Sequence, residues 1–152
     1  MDLNALASKS APIVLADVSP EFLDFEGKDV ERDARVAVVV RTATSADKIN
    51  RAAISSQQET KYMSDGRGGV AISKVTDANA EYRRMMECFW TLESVSNLVR
   101  GGTPVFHKTP VRDMAREEFI RVWGDLPPAL TNAIHAAVLK HNPIWNDELL
   151  GE

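Results

Sequence analysis

The run Arg35-Val-Ala-Val-Val-Val-Arg41 leads straight into Thr42-Ala-Thr-Ser-Ala-Asp47, and together they set the architecture. Valine is stiff at χ1 and favours extended backbone, and seven residues are too few for a typical helix, so the run predicts a strand. Its valines are continuous rather than alternating, which implies cover on both faces. Thr44 and Asp47 then have capping-box spacing, with aspartate in place of the usual glutamate. They predict a modest helix with Ile49, Ala52, Ala53 and Ser56 on one face.

Towards the N-terminus, Pro12-Ile-Val-Leu-Ala16 reads as a short edge strand. Phe22, Leu23 and Phe25 precede a turn at Glu26-Gly27-Lys28. Residues Met1 to Ser10 are small and polar and read as a mobile start. Towards the C-terminus, Ser64-Asp-Gly-Arg-Gly-Gly69 has three glycines in four positions and reads as a loop. A long helix is predicted from an N-cap near Asp77. Its apolar stripe is Tyr82, Met85, Met86, Phe89, Leu92, Val95 and Val99, its end is Gly101-Gly102, and it is expected to be the centre of the core. A brief strand over Thr103 to His107 follows. Next comes a helix carrying Met114, Phe119, Val122 and Trp123 that ends at Gly124. Asp125-Leu-Pro-Pro-Ala129 starts another, with Leu130, Ile134, Ala137 and Val138 inward, and Asn142-Pro143 stops it. The expected fold is α+β: a small N-terminal β-sheet packed on a mainly helical C-terminal part.

At 152 residues, 44% apolar and 26% charged, the chain fits a single domain over 1–152 with a real core and a short C-terminal tail at 143–152. Its net charge is −4, and the basic residues are scattered among acids, as in Glu31-Arg32-Asp33 and Arg116-Glu117-Glu118. Nucleic-acid binders displace counterions with a basic excess, so nucleic acid is not an expected partner. No apolar run approaches the roughly 20 residues of a membrane span. With no secretory signal pattern and one cysteine, Cys88, the expected location is the cytoplasm, and no membrane partner is expected.

Gly66, Gly68 and Gly69 offer backbone amides of the kind that cradle phosphate, yet they lack GxxxxGK[ST] or GxGxxG in a strand–turn–helix setting. They read as surface loop, and no cofactor is expected. His135 and His141 lie six apart, where paired ligands on a helix want three or four, and His107 sits in another segment; no metal site is expected. Cys88 beside Phe89 and Trp90 reads as a small core residue. A Cys88/His107 arrangement lacks a recognised nucleophile context. The adjacent carboxylates Glu117-Glu118 and Asp147-Glu148 diverge by about 100° and read as solvated charge. No catalytic residue is assigned, and the chain is read as a non-enzyme.

The tryptophans carry more weight, since Trp serves equally in cores and in interface hot spots. Trp90 falls at the core margin. Trp123 stands just before Leu126-Pro127-Pro128, and Trp145 lies in a tail where docking on its own domain and contact with a partner are both open. The candidate protein-binding side chains are Phe119, Trp123, Leu126, Trp145, Leu149 and Leu150.

Val36 to Asp47, a valine-rich strand feeding a polar capped helix, is one half of a wider pattern. The other half is Glu117-Glu-Phe-Ile-Arg-Val-Trp123, Leu126-Pro127-Pro128 and Ala133-Ile-His-Ala-Ala-Val138. Over about residues 34–146 the pattern resembles the tail assembly chaperones of long-tailed bacteriophages; the first 33 residues have no counterpart in it. The resemblance implies a protein that binds the long helical tape-measure protein in the host cytoplasm during tail assembly and then leaves. It implies apolar surface able to cover a helix and no active site. Self-association is left open. A structural virion component (connector, tail or baseplate) and a small enzyme of unassigned chemistry are the alternative readings.

Overall fold

A three-stranded antiparallel sheet has the valine run at its centre. The computed structural model describes residues 1–2, 11–54 and 70–146, excepting the side chains of 70–78. The expected mobile start, Ser56, the glycine loop, Leu149 and Leu150 lie wholly or largely outside the described residues.

Strand β1 (Ile13–Val14) turns at once into a short helix α1 (Leu15–Val18), and Pro20 at the first helical position opens α2 (Pro20–Glu26). Gly27, at φ 114°, reverses the chain in a backbone region that side chains rarely adopt. The Glu26 carboxylate accepts the Val36 amide at 2.7 Å and pairs with Arg35 at 3.2 Å, fixing where the next strand begins. That strand, β2 (Ala37–Val40), pairs with β1 on one side and β3 (Leu92–Ser96) on the other. Val38, opposite Ile13 and Val95, is fully buried with Val40, while Val39 is half-buried. Cover on both faces follows from this central place.

Residues 45–54 form helix α3. Its capping box is made: the Thr44 amide donates to Asp47 Oδ2 at 2.9 Å, and the Asp47 amide donates to Thr44 Oγ1 at 3.3 Å. The expected inward face is corrected. Ile49, Ala52 and Ala53 are exposed, and Asp47 and Ile54 are buried with Arg51 half-buried between them. The cap decides this. Asp47 is tethered both to its own helix start and to Arg41 at 2.8 Å, so the face that follows it at steps of four and three is the one that docks.

Helix α4 (Val70–Thr91) already runs through the seven residues before Asp77, since Val70 to Thr76 contains no glycine or proline to stop a nucleated helix. Its expected C-terminus is also corrected. The helix ends at Thr91, Leu92–Ser96 is strand β3, and Gly101-Gly102 is the two-residue tip of a hairpin between β4 (Val99–Arg100) and β5 (Thr103–Pro104). Both glycines have positive φ, 59° and 83°, as a mirror-image hairpin turn requires. Leu92, Val95 and Val99 do recur at helical steps, but the open edge of β2 offers Leu92–Ser96 a ladder that a helix would forgo. Glu93 is the extra residue where the register shifts, opposite the Val39/Val40 step, and its carboxylate pairs with Arg112.

Helices α5 (Arg116–Gly124) and α6 (Pro128–His141) complete the fold, followed by a 3₁₀ turn at Pro143–Trp145. Leu130, Ala133, Ile134, Ala137 and Val138 are all buried. These short side chains let α6 pack on β2, α1, α2 and α4, so α6 rather than the longer α4 touches the most elements of the core. Asn142 ties its end down. The Asn142 side-chain Oδ1 accepts the Ala43 amide at 2.8 Å, and its Nδ2 donates to the Arg41 carbonyl at 3.2 Å. The outcome is the expected α+β architecture.

Candidate functional site

The strongest concentration of polar chemistry surrounds Glu87, in the last turns of α4. Its neighbours Met86 and Cys88 are core residues, and Glu87 itself is 1% exposed. Burying a carboxylate is costly unless every lone pair meets a donor, and here both oxygens do. His135 Nε2, from α6, stands 2.7 Å from Oε1. Arg51 Nε, from α3, donates to Oε2, and Arg83 Nε, one helical turn back, lies 3.9 Å from the same oxygen. Arg51 reaches further: Nη2 donates to the Trp145 carbonyl at 3.2 Å, and the guanidinium carbon sits 5.8 Å from the centroid of the Trp145 ring. Trp90 meets that ring edge-on at 6.5 Å. One carboxylate therefore binds α3, α4, α6 and the closing turn together. Opening beside it is a depression of about 210 Å³ lined by Arg83, Arg84, Glu87, His135 and Leu139, among others.

With both oxygens engaged, Glu87 is an anchor rather than a free base. Cys88, the next residue, is fully buried, and desolvation together with the Glu87 charge pushes its thiol well above the usual range. It stays protonated and serves as core. His107 lies elsewhere, 2.7 Å from Glu118, whose carboxyl that hydrogen bond holds below its ordinary value. His141 meets Thr42 Oγ1 at 3.2 Å. Cys88, His107 and His141 thus have three separate sets of neighbours. Among the described residues no three His, Cys, Asp or Glu side chains gather as metal ligands, and no helix is long and apolar enough to cross a membrane.

The side chains expected at a partner surface are placed as follows. Phe119 is fully buried at the centre of an aromatic cluster, with Phe89 at 4.8 Å, Trp123 at 5.5 Å and Phe106 at 5.9 Å between ring centroids. Leu126 is buried, and Trp145, at 3% exposure, docks on its own domain. Trp123 is half-buried. Glu87, Arg51 and His135 were missed as a group. The signal within the chain was a carboxylate flanked by core residues Met86 and Cys88, with Arg83 four positions before it; its remote partners left no local trace.

Apolar surface is offered elsewhere. Phe25, Ile49, Val99 and Ile144 are each more than half exposed. A groove of about 450 Å³ runs beside α6, with Val18, Ala136, Leu139 and Pro143 among its apolar lining and Asp17 and Lys140 among its charged lining. A second, of about 290 Å³, separates the β4–β5 hairpin from α5. Comparisons with protein-family models, curated proteins and solved structures return no match.

Proposed function

We propose that this protein is a non-enzymatic tail assembly chaperone of a tailed phage, which binds the tape-measure protein in the host cytoplasm. The observation that carries the reading is the groove beside α6. One turn of helix, about 10 Å across and 5.4 Å long, fills roughly 420 Å³. The groove, at about 450 Å³, is of that size, and Val18, Ala136, Leu139 and Pro143 give it apolar surface. Seating one face of a long amphipathic helix there removes apolar area from water on both partners, at about 25 cal/mol per Å². The engaged state of Glu87 and the buried, protonated Cys88 agree with a role that makes and breaks no bonds.

Co-expression with the tape-measure protein tests the proposal. The expected result is a co-purifying complex and a soluble tape-measure protein, both diminished by Leu139→Glu. Absence of a complex and of any gain in solubility would overturn it. Stoichiometric recovery of the chain from purified particles would instead favour a structural virion component.

A further inference from the structure

The groove between the hairpin and α5 carries an excess of positive charge, two arginines against one aspartate. Arg100 comes from β4 and Arg121 from α5, and both side chains are exposed. Neither has a hydrogen bond or ion pair among the described residues. Glu118, three residues before Arg121 on the helix, is held by His107, and Arg121 acts on it as a weaker, longer-range attraction. Val105 and Val122, both half-buried, add apolar surface to the same groove, and Val99 stands 57% exposed on the hairpin. Asp125, just past the end of α5, is the one acid lining it.

We propose that this groove docks an acidic, apolar segment of a partner protein, with a carboxylate received by Arg100 and Arg121 and a neighbouring aliphatic side chain set against Val105 and Val122. The chain as a whole is at −4, while in this groove two exposed arginines outnumber the one lining acid, a local excess of positive charge that selects an acidic partner. A nucleic acid needs a longer basic path to track its backbone, and here the groove offers two arginines beside an aspartate, a threonine and an apolar lining. Pro104 removes an edge donor from β5, so recognition runs through side chains rather than through an added strand. The inference stands apart from the tape-measure reading, because the two grooves lie on different elements.

Titration of the ¹⁵N-labelled full chain with the peptide acetyl-Glu-Val-Glu-Leu-Glu-amide tests it. At about 50 mM salt, where screening is weak, the amides of 99–103, 105 and 118–125 are expected to shift. The same peptide with glutamine for glutamate is expected to leave them in place. The Arg100→Glu, Arg121→Glu double variant, whose spectrum reports directly on its folding, is expected to bind roughly tenfold more weakly. Shifts that map to the α6 groove, that survive charge reversal, or that fail to appear would each overturn the proposal.

Discussion

Glu87 shows what a single residue decides in this fold. Burying a carboxylate is costly unless donors meet it, and His135, Arg51 and Arg83 reach this one from three directions, two from other elements and one from its own helix. Removing it leaves Arg51 and His135 facing an empty, low-dielectric pocket. Glu87→Ala is expected to cost about 3–5 kcal/mol, the range for breaking a buried ion pair from one side. Glu87→Gln, which keeps two polar atoms in place, should cost less. Urea denaturation followed by tryptophan fluorescence measures both, and a loss from Glu87→Ala of less than about 1 kcal/mol would show that the ions repartner or hydrate. Asp47 works in the same manner on a smaller scale, capping α3 through its side chain while pairing with Arg41.

Among the elements, the segment from Leu92 to Pro104 is where local pattern and final structure part. Helical periodicity through Leu92, Val95 and Val99 is real in the sequence, yet the segment folds as β3 and a hairpin. An unpaired edge of β2 would leave its backbone donors and acceptors unmet in the interior, and β3 satisfies them. The hairpin then depends on its tip. Gly101 at φ 59° occupies a region that costs an L-residue about 1–2 kcal/mol. Gly101→Ala is expected to lose about that amount locally, since a Cβ there meets no neighbour and backbone strain alone opposes it. Faster hydrogen exchange at the Val105 amide, which donates to the Leu98 carbonyl at 3.1 Å, would report the loss. An unchanged exchange rate would mean that the hairpin is held by the packing of Leu98 and Val105 on the core instead of by its turn.

For the whole molecule, charge ties stability to pH at the surface. The Arg32 hydrogen bond holds the Asp17 carboxyl below its ordinary value, and His107 does the same for Glu118. Each group binds its proton more weakly folded than unfolded. The stability they contribute is present above the ordinary carboxylate range and is lost as pH falls through the depressed folded values. Both are solvated, so the contribution is small and screened by salt. Arg32→Ala is expected to return the Asp17 carboxyl to its ordinary range and His107→Ala to return that of Glu118, read by carboxyl-carbon NMR titration. Unmoved titration curves would show that other charges set these values.

The sequence by itself determined what local chemistry controls. The valine run had to extend, Thr44 and Asp47 had to cap, Pro128 and Asn142-Pro143 had to bound α6, and one face of α6 had to go inside. Each of these rests on interactions within about four residues. Tertiary structure alone decided that Leu92–Ser96 is a strand, that Trp145 belongs to the core, and that Arg51, Glu87 and His135 meet. Those outcomes depend on partners 36 to 94 residues apart, and no short-range signal encodes which open edge or buried charge will be waiting there.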